Sequence, residues 1–200
     1  TQADIVGGSG NLGKELAKGP VTLTIRELIR PMIQFSDNTA TNRLIALIGM
    51  PKVNALMDQL GLRKTRLQRV MIDKTNAAER DEENISTPLE MAHLAEMLYR
   101  GQFDGSEEMI SILKLVGWAL PDGGIRAGVP KEIPVAAKPG SVRGVQCQTG
   151  IVFLEHRPFV VSVMSVYLKG ESKAVSEVTK IVFQHFETLA ASNSYGNRVR

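Results

Sequence analysis

Two short runs in this 200-residue chain combine residue types that can move protons. Ser36-Asp37-Asn38 offers a hydroxyl, a carboxylate and an amide in succession, and Lys138-Pro139-Gly140-Ser141 sets a cation beside a glycine. A hydroxyl held by a lysine can relay a proton to a departing atom, because the cation lowers the cost of a transient alkoxide. A glycine in a strand lets a ligand lie along the backbone where a β-carbon would obstruct it. Taken singly, each run also has a plain structural reading. Ser, Asp and Asn all favour helix caps and turns, and a lysine at a strand end is ordinarily solvated.

Other chemistries are poorly supplied. His93, His156 and His185 include no pair at helical ligand spacing, and the single cysteine, Cys147, excludes an intrachain disulfide or a multi-cysteine metal site. No metal and no cofactor is expected. The acidic cluster Glu79, Asp81, Glu82 and Glu83 reads as solvated loop charge. Twenty-four basic and 21 acidic residues are interspersed to a net +3, and aromatics are only 5%, which gives no nucleic-acid footprint. No apolar run reaches the roughly 20 residues of a membrane span.

The elements that must position the two runs can be read from periodicity. Thr24 with Glu27 forms a capping box ahead of Ile25, Leu28, Ile29, Met32 and Ile33, with Pro31 inside the pattern. Ser36-Asp37-Asn38 interrupts it, a second helix runs to Gly49, and a third covers Pro51 to Leu60. Residues 63–86 are polar and without period, long enough to be a functional loop. Thr87-Pro88 opens a helix ending at Gly101, and another carries Met109 to Val116. From residue 133 the pattern becomes that of strands: Ile133 to Ala137, Gln148 to Leu154 and Phe159 to Tyr167, an antiparallel meander. A helix from about Lys173 and a frayed polar tail over 192–200 complete the chain. The fold class is α+β, with a mainly helical lobe over 1–132 and strands plus a C-terminal helix over 133–191.

In this order and context the two runs resemble the motifs of the serine penicillin-recognising enzymes, class A β-lactamases in particular. That family carries S-x-x-K, S-D-N and K-T-G; the second is unaltered here and the third has one substitution. Leu23-Thr-Ile-Arg-Glu-Leu, Thr39-Ala-Thr-Asn-Arg-Leu-Ile, Arg66-Leu67-Gln68-Arg69 and Thr87-Pro88-Leu89-Glu90-Met91-Ala92 extend the likeness from about residue 20 to residue 190, the last two bracketing an omega-type loop. The resemblance implies a β-lactamase/transpeptidase fold, an all-helical lobe beside an antiparallel sheet with a helix packed on it. It further implies an acyl-enzyme hydrolase whose partner is a small β-lactam or peptidoglycan-like substrate, and export to the periplasm or medium. Ser36 and Lys138 would be catalytic. Asn38, Gly140 and Ser141 would bind substrate, with the Ser141 N–H as one oxyanion donor. Asp37 would tie the loop down internally.

The sequence departs from that family in three places. No S-x-x-K precedes Ser36; Ser111-Ile112-Leu113-Lys114 follows it, inside an amphipathic helix, and reads as chance. The nucleophile and the first sheet strands are therefore expected in a segment of the same polypeptide ahead of this sequence, whose opening Thr-Gln-Ala-Asp-Ile-Val lacks the features of a start or a signal peptide. Met71 stands where class A enzymes have their deacylating glutamate, and Thr75 where they have an asparagine. Asp73 could act as the base only in a re-registered loop. Pro139 replaces a Thr or Ser, and its missing N–H requires an edge strand or a strand start. These departures keep open a D-Ala-D-Ala peptidase or esterase, and an inactive ligand-binding relative.

Overall fold

The computed structural model describes residues 1–72, 79, 81–119, 124–170 and 172–199, without the side chain of Trp118. The chain packs as two units, Thr1–Glu90 and Met91–Arg200. The change from helices to strands at 132–133 is one of secondary structure; the division by packing falls at Glu90–Met91.

The first unit contains α1 (Leu12–Leu16), α2 (Ile25–Gln34), α3 (Asn38–Ile48), α4 (Met50–Gln59) and the start of α5 (Pro88–Tyr99). The capping box forms as predicted: Glu27 N donates to Thr24 Oγ1 at 3.2 Å and Thr24 N to Glu27 Oε2 at 2.8 Å. Pro31 stays inside α2, and its carbonyl closes the helix by accepting from Phe35 N at 3.0 Å and Asp37 N at 3.1 Å. Gly49 ends α3 at φ +84°, donating to Ile45 O at 2.8 Å, and Pro51 sits in the first turn of α4, where its absent N–H costs nothing. Leu12, Leu16, Leu28, Ala40 and Leu44 form the core of this unit.

The second unit holds the rest of α5, then α6 (Ser106–Trp118), a 3₁₀ turn over Ile125–Gly128, β1 (Val135–Val142), β2 (Val145–Val152), β3 (Phe159–Ser165) and α7 (Ala174–Ala190). The strands form one antiparallel sheet in the order β1-β2-β3. Val135, Ala137, Val152, Phe159 and Val161 lie on one face and share a core with Ile125, Val129 and the α7 residues Val175 and Phe183. Phe159 stacks on Phe186 with centroids 4.4 Å apart.

Several predicted boundaries move: the second strand, expected over Gln148 to Leu154, spans Val145–Val152, and the third ends at Ser165 rather than Tyr167. The first strand, expected to stop at Ala137, runs on to Val142 and takes Lys138, Pro139, Gly140 and Ser141 into the ladder. The tail expected to fray after residue 191 folds back instead, with a Ser192–Arg198 bridge and Val199 N donating to Ala191 O at 2.8 Å. Asn193 makes that turn, its Oδ1 accepting from Tyr195 N and Asn197 N, each at 3.0 Å.

Candidate functional site

The residues singled out by sequence fall into two groups, one in each unit. In the first unit, the junction of α2 and α3 carries Ser36, Asp37 and Asn38. Ser36 adopts φ +51°, a left-handed conformation that a non-glycine residue takes only where the surroundings hold it there. The surroundings here are dense. Asp37, 1% exposed, caps α3 by accepting from Ala40 N at 2.9 Å through Oδ1. Its Oδ2 accepts from Asn11 N at 2.7 Å and Leu12 N at 2.8 Å, so one carboxylate serves the starts of two helices.

The neighbours of Asp37 complete the clamp. Asn38 Nδ2 donates to Gly7 O at 2.9 Å and Asn38 N to Ser9 O at 3.1 Å, while Thr39 Oγ1 accepts from Val6 N at 3.0 Å. The backbone of residues 6–12 is thus bound along the motif. Its glycines are required by contact: a β-carbon on Gly10, at φ +103°, would strike the Asp37 carboxylate, and one on Gly8 would lie 2.6 Å from Asn38 Nδ2.

One turn after Asn38 on α3, Asn42 grips the loop backbone at Met71. Met71 N donates to Asn42 Oδ1 at 2.8 Å, and Asn42 Nδ2 donates to Met71 O at 3.0 Å. Sequence reasoning missed Asn42; its spacing of four residues from Asn38 on one helix was the available signal. The loop neck is closed by the paired backbones of Arg66 and Ile85, by Asn84 accepting from Gln68 N and Arg69 N, and by Arg69 Nη2 to Glu83 Oε2 at 2.6 Å. Glu83, read as solvated charge, is therefore a partner of Arg69. Asp73 and Thr75 lie outside the described residues.

In the second unit, Lys138, Gly140 and Ser141 stand on β1, one edge of the three-stranded sheet. Phe153 N donates to Pro134 O at 3.0 Å, in the same register that pairs Lys138 with Thr149 and Gly140 with Cys147. The even-numbered residues of β1 consequently bond to β2, and the backbone groups of Val135, Ala137, Pro139 and Ser141 point away from it. Pro139 lacks an N–H where β2 would not use one, which is why the strand passes through it unbroken. The Ser141 N–H is directed along the same outer edge.

Nearer its start, that edge is covered. Gly117 of α6 lies so close that a β-carbon would collide with Val135 O and come within 3.3 Å of Ala137 N. Lys138 is half-buried, its Nζ donating to Pro139 O at 3.1 Å, and burial lowers its pKa from the usual lysine value. Cys147 sits partly buried on the neighbouring strand, its thiol pushed up by burial. Ser111 and Lys114 are engaged separately, Ser111 Oγ with Glu107 O at 2.9 Å and Lys114 Nζ over the Phe153 ring.

Residues 1–186 match the family model described as the beta-lactamase enzyme family. This chain belongs to that family. Beta-lactamase CTX-M-97 of Escherichia coli is 34% identical over 159 residues, which are 78% of this chain and 54% of that protein. Beta-lactamase ROB-1 of Haemophilus influenzae is 31% identical over 191 residues, 92% of this chain and 62% of its own length. The crystal structure of the beta-lactamase from Sphaerobacter thermophilus DSM 20745 superposes with a TM-score of 0.81 at 29% identity, covering 93% of this chain and 71% of that one. PBP-A, at 23% identity and a TM-score of 0.77 over 92% of this chain and 69% of its own, shares the fold. The architecture is accordingly that of the β-lactamases. The chain spans about half the length of the first of these curated relatives.

Proposed function

We propose that this beta-lactamase family member is part of a serine hydrolase that opens β-lactam amides through an acyl-enzyme, with its nucleophile on a segment of the polypeptide ahead of this sequence. In this reading Ser36 relays the proton to the departing nitrogen, and Lys138 attracts the substrate carboxylate. Asn38 donates to the acylamino carbonyl of the substrate. Gly140 leaves room for it along β1, and the Ser141 N–H donates to the developing oxyanion, an interaction worth about 3 kcal/mol of barrier. The observation that carries the reading is the outer edge of β1, where the Ser141 amide faces away from β2 beside a proline that presents no competing N–H. Export to the periplasm or the medium belongs to the same proposal.

A D-Ala-D-Ala peptidase or esterase is favoured by one specific observation. Asn42 fixes the backbone of Met71, and a thioether there cannot serve as a base for hydrolysing the acyl-enzyme. The test is the intact mass of the natural full-length protein after incubation with benzylpenicillin. A single penicilloyl adduct on a serine upstream of this sequence is expected. A lifetime of minutes or longer, shortened by Met71→Glu, would favour the peptidase-like branch; rapid loss with release of penicilloate would favour the β-lactamase. No adduct at any time would sink both and leave a ligand-binding relative.

A further inference from the structure

The segment leading into β1 wraps around a guanidinium. Arg126 Nη1 donates to Ile133 O at 2.6 Å, and its Nη2 donates to Val129 O at 2.9 Å and also to Pro130 O. Backbone carbonyls orient this cation without cancelling its charge. On α6, Lys114 holds its Nζ 4.2 Å from the Phe153 ring centroid, and a π face likewise leaves a formal charge in place. Phe153 is fixed to the same segment through its N–H to Pro134 O and is backed by Tyr99, 6.1 Å away. Lys131 is exposed, and among the described residues neither lysine forms an ion pair.

Lys114, Arg126 and Lys131 line a cavity of about 260 Å³, together with Glu132, Pro134 and Val135. Three cations against one carboxylate leave an excess of positive charge, and Pro134 and Val135 supply an apolar wall beside it. The volume is below that of pockets for drug-sized ligands, so the occupant is small. The geometry points to a site for a small carboxylate with a flat apolar body. Its carboxylate is held by Lys114 and Lys131 with Arg126 behind them, and its apolar part lies on Pro134. The cavity shares no residue with the acyl-enzyme site and does not rest on that proposal.

Benzoate is the probe, titrated into the protein by calorimetry and by amide NMR, with acetate and inorganic phosphate as comparisons. Benzoate is expected to saturate, with shifts concentrated at Lys114, Phe153 and residues 126–135. The double variant K114A/K131A should weaken it at least about tenfold, as the loss of charge-assisted contacts implies, and Glu132→Gln should tighten it. Acetate should bind more weakly, for want of the apolar contact. Benzoate that fails to saturate, or that binds K114A/K131A equally well, would overturn the site. Phosphate binding as tightly as benzoate would overturn the apolar part of its selectivity.

Discussion

At the scale of single residues, two charged groups set the expected behaviour. Asp37 accepts three backbone N–H groups while almost wholly buried, so Asp37→Ala leaves three amides without their acceptor. We expect a loss of about 3 kcal/mol or more, given the usual worth of hydrogen bonds to a charged group, read by urea denaturation. Asp37→Asn should recover only part of it, because an amide cannot accept on both atoms. Lys138 gives the opposite sign. Burial lowers its pKa from the ordinary 10.5, so the folded state disfavours the cation. Between the lowered folded value and 10.5 the unfolded chain binds more protons, and stability rises with pH through that window. Below it the full cost is present. Lys138→Met should therefore raise Tm at neutral pH and flatten the rise toward alkaline pH, while abolishing acylation of the full-length protein. The acylation rate of the unmodified protein should fall on an alkaline limb below the ordinary lysine range, and thermal scans from pH 7 upward with stopped-flow acylation would check both.

At the scale of elements, close approach decides more than propensity does. Glycine in the middle of a helix ordinarily weakens it, yet Gly117 is where α6 meets the outer edge of β1. Gly117→Ala improves helix propensity and should still destabilise, by about 1–3 kcal/mol, because the new methyl must displace the Val135 carbonyl. Hydrogen exchange at β1 amides should accelerate in that variant. At the neck of the polar loop, Asn84 makes a comparable concentration of bonds. Asn84 accepts from Gln68 N and Arg69 N and donates to Arg69 O, three bonds across the neck. Asn84→Ala should speed hydrogen exchange at the Gln68 and Arg69 amides, with little change at the core of the first unit. Unchanged exchange would show that the Arg66–Ile85 pairing and the Arg69–Glu83 ion pair suffice.

At the scale of the whole molecule, each unit has its own core, and the site residues are divided between them. The 200-residue chain contains no S-x-x-K ahead of its S-D-N, and among the described residues β3 has a partner on one side only. We expect this chain expressed alone to form no penicilloyl adduct by intact mass, whereas the natural full-length protein should form one. An unpaired strand edge is also a template for pairing between molecules, so the isolated chain should associate with rising concentration in light scattering more than the full-length protein does. An adduct on the isolated chain would place the nucleophile within these residues and overturn the upstream assignment.

What the sequence determined by itself was whatever depends on near neighbours. The Thr24–Glu27 capping box, the stop at Gly49 and the start of the last helix near Lys173 are set by groups within a few residues of one another, and these appear where the pattern put them; the three strands come in the expected order with shifted ends. The motif residues were legible for a different reason, since their types and order carry the family likeness. Tertiary structure alone decided what they touch. Asp37 meets Asn11 and Leu12, 26 and 25 positions away, and Asn42 meets Met71, 29 positions away. It also decided that Pro139 would sit inside a strand, because only the ladder register shows on which side an N–H is not needed. Local patterns fix local bonds; contacts across the chain are chosen by packing, which no short window of sequence contains.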